Sequence, residues 1–388
     1  MSVQDTATIN LDPAGTYVGR VWRPGIGPSV VMVKVGALLD ITSAQFPTVS
    51  ALLDTDDLPA ALASLTGEQI GDLSELEAGS RKQEGRTEAL HLLAPCDLQA
   101  IKAAGVTFAR SMIERVIEER AAGDLNHAET IRAEVAAIIG GSLSDLVAGS
   151  EKAAEVKKML IAQGLWSQYL EVGIGPDAEV FTKAQPMSAV GWGARVGLHP
   201  MSNWNNPEPE IVLAVSSRGE VKGACLGNDV NLRDVEGRSA LLLGKAKDNN
   251  ASAAIGPFIR IFDDSFSMAD VETAVVTLEI SGRDGFALRE TCPMSQISRP
   301  PQSIVDQTIG RHHQYPDGFM LYLGSLFAPT KDRDAEGHGF THHIGDVVSV
   351  SCPGLGTLIN PVDLSTSCDP WVFGHRALMT NLAGRKLL

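Results

Sequence analysis

Basic charge is in deficit in this 388-residue chain: 32 Lys and Arg stand against 47 Asp and Glu, a net charge of −15. A nucleic-acid backbone or an anionic membrane surface needs clustered cations, so neither is expected as a partner. Cysteine is scarce as well. Cys96, Cys225, Cys292, Cys352 and Cys368 are an odd set with no CxxC spacing, which argues against a zinc ribbon and a disulfide scaffold. No run of about 18 apolar residues is present to span a membrane. The opening MSVQDTATINLDPAG lacks the basic start and apolar core of a signal peptide, and a reducing cytoplasm is the expected compartment. What the chain does have is 44% hydrophobic residues with 20% charged, a globular composition able to bury a sizeable core.

At about 150 residues per domain, two domains or one large domain with an appendage is expected. From Gly15 the texture is short and β-rich: GTYVGRVWRP and PSVVMVKVGALLDI alternate apolar and polar residues around a Pro/Gly turn. Between Asp97 and Tyr169 the period becomes helical. In FARSMIERVIEERAA the residues Phe108, Met112, Ile113, Val116 and Ile117 form one apolar stripe. LNHAETIRAEVAAIIG reads as a second helix stopped by Gly140 and Gly141, and Glu151–Gln163 as a third. After Val172 come strands of four to seven residues: EIVLAV, VKGACLG, TAVVTLEI, GFMLYLG, DVVSVSC and GTLINPV. This spacing favours an antiparallel or mixed sheet over βαβ units. The division is 1–95 for a small N-terminal α/β module, 96–170 for a helical connection and 171–388 for a β-rich core.

The strongest chemical signal is NPEPEIVLAV. Glu208 and Glu210 stand two apart on a strand, so both carboxylates share a face and repel unless a cation lies between them. A solvated sheet edge would look the same, but GNDVNLRD adds Asp229 as a third oxygen donor, where it is otherwise a turn residue. All-oxygen ligation suits magnesium, with manganese or calcium as alternatives, rather than zinc. Lys247, in GKAKDNN, would ordinarily be a solvated side chain; beside such a cluster it could hold an enolate or act as a base.

Glu208, Pro209 and Glu210, then Asn228, Asp229, Arg233 and Asp234, then Lys247 ten residues before Pro257, together resemble the fumarylacetoacetate hydrolase superfamily. VFTK (180–183), PDG (316–318), GDVVSVS (345–351) and GLGTLINPV (354–362) extend the resemblance over about 170–365. It implies an α+β fold, a mixed β-sheet roll core with a smaller N-terminal domain and a helical insertion. It also implies a divalent metal on Glu208, Glu210 and Asp229, a 2-oxo acid substrate, Lys247 over that substrate, and Thr357 at its carboxylate end. Lys183, Arg233, Glu236 and Ser111 complete the substrate contacts by the same carry-over, and a homodimer or homotetramer is the implied assembly.

Within the superfamily, carbon–carbon hydrolases carry a histidine before the FxK segment, and QYLEVGIGPDAEVFTK has none. AAGVTFARSMIERVIEER instead resembles the segment preceding the core in 2-keto-3-deoxy-arabinonate and -xylonate dehydratases. The expected activity is therefore loss of water from a 2-keto-3-deoxy-pentonate to give 2,5-dioxopentanoate. A hydrolase of a 2,4-dioxo acid and a non-catalytic sugar-acid binder are the rivals. On a wheel of about 100° per residue, Glu119 falls inside the apolar arc, with Ser111 and Glu118 off one edge. Lys247, Glu119 and Glu118 are thus the candidate bases. TKDRDAEGHGF is rejected as an EF-hand because its twelfth position is His343, and GWGARVG has the wrong spacing for a dinucleotide loop. His342, His343, His312 and His313 are expected to be surface or loop residues.

Overall fold

The computed structural model describes residues 8–121, 146–162, 164, 166–325, 329–335 and 339–388. The expected helix 125–140 lies outside the described residues, as do His127, Glu336, Gly337 and His338.

The chain starts with β1 (Tyr17–Arg23), β2 (Gly27–Lys34), β3 (Ala37–Asp40), β4 (Glu68–Asp72), β5 (His91–Leu92) and β6 (Ala100–Gly105). After the helices come β7 (Glu179–Ala184), β8 (Val196–Leu198), β9 (Asn205–Asn206), β10 (Pro209–Val215), β11 (Val221–Asp229) and β12 (Asn231–Leu232). The last six are β13 (Ala253–Ile261), β14 (Val275–Ser281), β15 (Ala287–Pro293), β16 (Phe319–Tyr322), β17 (Val347–Cys352) and β18 (Gly356–Leu364). One 11-stranded sheet runs β4-β3-β2-β1-β13-β11-β10-β16-β6-β7, with β5 on β1. A five-stranded sheet runs β15-β14-β17-β18-β8, and β12 pairs with β9. The pairs β16–β6 and β18–β8 are parallel, among antiparallel neighbours. This is the expected α+β architecture of mixed sheets.

The boundary expected near residue 95 does not interrupt the sheet. Tyr17 and Val18 of β1 pair with Arg260 and Ile259 of β13, so the N-terminal strands extend the sheet of the core. Local alternation predicts strands well, but it carries no information about which distant edge a strand joins.

β10 is buried along its whole length, and its alternation divides the core in two. Ile211, Leu213 and Val215 face the five-stranded sheet and pack with Leu278, Val350 and Leu358. Val212 and Ala214 face the opposite way, towards Val49, Leu52, Leu58 and Leu62 of two short N-terminal helices. The helix Ala109–Arg120 forms as its stripe predicts, and buries Met112, Val116 and Ile117 against Leu160, Leu170 and Ile174. No helix among the described residues is long and apolar enough to cross a membrane.

Candidate active site

The end of β10 and the end of β11 make the floor of the site. Asp229 donates its backbone N–H to the Glu208 carbonyl (3.0 Å), and Glu210 stands opposite Gly227. Side chains two apart on paired strands share a face, so the three carboxylates converge: Glu208, Glu210 and Asp229 each offer an oxygen within 4.8 Å of the others, and all are buried. Gly227 lets the Tyr322 ring pack directly on the strand beside Glu210, because a Cβ there would lie 2.3 Å from that ring. Gly324, at φ +89°, aims its N–H at Glu210 Oε2 (2.6 Å), a backbone conformation that glycine adopts without strain.

Cations sit on both sides of this cluster. Lys247 Nζ lies 2.5 Å from Glu208 Oε2 and 3.2 Å from Asp229 Oδ2. Lys183 Nζ lies 2.8 Å from Asp229 Oδ1 and donates to the carbonyls of Val230 and Lys247. Arg115 reaches Glu208 Oε1 at 2.5 Å and Glu236 Oε2 at 2.8 Å. Burial alone would raise the Glu208 pKa, but Lys247 and Arg115 override it and hold the carboxyl at about 2. Glu210 goes the other way: burial, then the charges of Asp229 and Glu208, push it well above the usual range. Burial disfavours the Lys247 ammonium, yet Asp229 and Glu208 outweigh that cost and raise its pKa.

A cleft opens above the floor, lined by Ser111, Glu114, Arg115, Glu179, Phe181 and Glu236 besides the carboxylates and Lys247. Among the described residues no histidine lines it. The sequence reading missed Glu179. It begins β7 two residues before Phe181, so both project towards the cleft; a polar residue in phase with Phe181 was the available signal. Burial first, then the charge of Glu236, raise the Glu179 carboxyl to about 7. Glu114 and Arg115 were missed as well, because the apolar stripe drew attention to the wrong side of their helix.

Several expected site residues lie elsewhere. Glu119 is turned inward, as the wheel predicts, but towards the helical cluster rather than the cleft. Its carboxylate accepts from Ser167 Oγ (2.5 Å) and Gln168 Nε2 (2.9 Å) at the start of the helix Gln168–Ile174, where negative charge is favoured. The Glu118 side chain lies outside the described residues. Lys183 is fully buried beneath Asp229 and is not part of the cleft wall. Arg233 lies behind the wall, 4.3 Å from the Trp204 ring and 3.2 Å from Glu114. Thr357 is not among the residues that line the cleft; it lies near the start of β18, with its N–H on the Ile9 carbonyl (2.8 Å). Ser111 and Glu236 do line the cleft.

His342 is buried rather than at the surface, with Nδ1 3.0 Å from Asp346, which Arg333 also holds. His343 remains half-exposed between Asp284 and Asp334.

No family model matches the chain. A 2-dehydro-3-deoxy-D-arabinonate dehydratase of Saccharolobus solfataricus is 28% identical over 184 residues, 47% of this chain and 58% of the relative. A probable 2-keto-3-deoxyxylonate dehydratase of Haloferax volcanii is 31% identical over 195 residues, 50% and 63% of the two chains. The match thus spans about three fifths of each relative. Among solved structures, a 2-keto-3-deoxy-D-arabinonate dehydratase complexed with magnesium and 2,5-dioxopentanoate superposes with a TM-score of 0.60 at 18% identity, covering 90% of this chain and 99% of that one. A fumarylacetoacetate hydrolase from Exiguobacterium antarcticum gives 0.56 at 15% identity over 90% and 99%. The chain shares its fold with these solved structures, and in sequence it is similar to dehydratases of 2-keto-3-deoxy sugar acids.

Proposed function

We propose that the protein is a divalent-metal-dependent hydro-lyase that removes water from a 2-keto-3-deoxy-pentonate of the arabinonate or xylonate type, giving 2,5-dioxopentanoate. The observation that carries this reading is the buried triad of Glu208, Glu210 and Asp229 with Lys247 beside it, facing a cleft without a histidine among its described residues. The donor set fits a hard cation: three carboxylates, no sulfur or imidazole, and mutual repulsion that an ion would relieve. Magnesium is the metal proposed, with manganese or calcium as alternatives. When bound, such an ion supplies Lewis acidity that makes the protons on carbon 3 of a 2-oxo acid removable.

The remaining chemistry falls to the side chains. Lys247 is held charged by the carboxylates that would bind the ion, so occupancy removes its partners. Burial then favours its neutral amine, which takes the proton from carbon 3. Glu179, protonated up to about pH 7, gives its proton to the hydroxyl leaving carbon 4. The 3,4-ene then isomerises through its 4,5-enol to the aldehyde, so the sequence loses one water and nothing else. Hydrolysis would instead require a water activated against a carbonyl carbon. Purified protein assayed on 2-keto-3-deoxy-pentonates and, separately, on a 2,4-dioxo acid separates the readings: the semialdehyde is expected from the former, whereas two shorter acids from the latter with no turnover of the former, or no turnover of either, would refute dehydration.

Glu179 gives a pH signature. An acid must be protonated to act, so kcat should fall tenfold per pH unit above about 7 on this limb. Glu179→Gln should lower kcat by roughly 100-fold or more and abolish that limb. A variant that keeps the same alkaline fall would assign the acid elsewhere.

A further inference from the structure

The cleft is strongly acidic for a site meant to take an acid. Six of its lining side chains are carboxylates (Glu114, Glu179, Glu208, Glu210, Asp229 and Glu236), and its lining cations among the described residues are Lys247 and Arg115. Even with a dication on the triad these six carboxylates outnumber the positive charges, so an anion entering the cleft also needs a positive side chain that persists through turnover. Lys247 cannot supply it if it works as a base, whereas a guanidinium stays charged at any working pH.

Arg115 is placed for that task. It is nine-tenths buried and projects into the cleft from the helix Ala109–Arg120. One amino group of its fork meets Glu208 Oε1, an oxygen of the metal-binding triad, and the other meets Glu236 Oε2. Its neighbour Glu114 is paired with Arg233, so two successive helix residues exchange charges with both ends of the short helix Arg233–Glu236. This reciprocal pairing fixes the guanidinium beside the triad; both amino groups are held by carboxylates, and an ion taking Glu208 would leave the one that now meets it to a substrate carboxylate.

We propose that Arg115 recognises the carboxylate of the 2-oxo acid, with Glu236 as the positioning residue that aims it. This rests on the triad serving as the substrate-metal site, but not on the reaction being dehydration. It makes Arg115 a determinant of the acid end of the substrate, common to every 2-oxo acid that enters, and leaves the hydroxylated tail to Ser111, Glu114 and Glu179.

The test is calorimetry on the magnesium-loaded full chain with 2-oxobutyrate, which has no hydroxyl to eliminate, and with its neutral amide 2-oxobutanamide. In the wild type 2-oxobutyrate should bind, and the amide at least about 30-fold more weakly, the worth of a charge-assisted contact. Arg115→Gln should lose a similar factor for 2-oxobutyrate and little for the amide. Arg115→Lys, which keeps the charge and the pairing to Glu236, should lie between them and covers the case in which Gln fails to fold. Glu236→Gln should weaken 2-oxobutyrate several-fold without changing discrimination by more than that. The proposal is overturned if the acid and amide weaken equally in Arg115→Lys, if acid binding changes by less than about twofold, or if wild-type protein binds no 2-oxobutyrate. Wild type that binds 2-oxobutyrate as expected but turns over no 2-keto-3-deoxy acid would refute the dehydratase reading and leave Arg115 in place.

Discussion

Replacing Glu210 by glutamine is expected to cripple turnover while leaving the ion-free protein as stable as before, or more so. The two effects share a cause. Glu210 is buried beside Glu208 and Asp229, and its pKa is raised well above the usual range, first by burial and then by those charges. A carboxyl whose folded pKa is raised destabilises the fold once the pH exceeds its unfolded value of about 4.3. That penalty grows as the pH rises towards the folded pKa, so at neutral pH it is present in the ion-free protein. Gln keeps the shape and can still accept from the Gly324 N–H, but it brings no charge to repel its neighbours. The same missing charge weakens any dication held by the triad. Metal stabilisation of developing negative charge is worth several kcal/mol, so a loss on the order of 1,000-fold in kcat/KM is expected. Turnover, manganese binding by electron paramagnetic resonance, and thermal unfolding in EDTA would be measured together. Turnover within tenfold of wild type, or wild-type activity untouched by excess chelator, would end the metal mechanism. A large fall in unfolding temperature would instead make Glu210 a structural residue.

Lys247→Met should lower kcat by roughly 100- to 10,000-fold, the usual worth of a positioned proton-transfer group. It should also leave a stability signature opposite to that of Glu210. In the ion-free protein the Lys247 ammonium neutralises Glu208 and Asp229 from a buried position. Removing one partner of a buried pair leaves uncompensated charge and costs about 3–5 kcal/mol. Because the folded pKa of Lys247 is raised, this contribution is complete below the unfolded value of about 10.4 and is lost only as the pH climbs through the folded one. The fall in unfolding temperature should therefore be full at pH 7. Saturating magnesium should restore it, since an ion on the triad supplies the missing positive charge. Lys247→Arg keeps the charge but cannot yield a neutral base, so it should spare ion-free stability and still fail in turnover. Turnover near wild type in Lys247→Met would remove it from the reaction, and an unfolding temperature unmoved in EDTA would contradict its pairing with the carboxylates.

The sequence by itself determined what depends on neighbours in the chain. Short apolar runs broken by Gly, Pro and Asn made β10 and β11 strands, and the spacing of Glu208 and Glu210 put both carboxylates on one face whatever the rest of the fold did. The stripe of Met112, Val116 and Ile117 made a helix with a buried side. Lys247, in contrast, lies 39 residues from Glu208, at the end of the short helix Leu243–Lys247 that packs against β12 and β7; the sequence suggested it only through resemblance. Tertiary structure alone decided what each buried side is buried against. The arc holding Glu119 faces a second helical cluster and meets Ser167 and Gln168, while the arc of Ser111, Glu114 and Arg115 faces the cleft. A hydrophobic period reports that a face leaves water, not which partner receives it, so Arg115 and Glu179 could not be singled out. The same limit explains Lys183, Arg233 and Thr357, whose positions depend on distances between strands and helices remote in the chain. Lys183 passes beneath Asp229, Arg233 stands behind Glu114, and Thr357 opens a strand of the other sheet. Local residue order sets the face from which a side chain departs; only the packing of sheets and helices sets what it reaches.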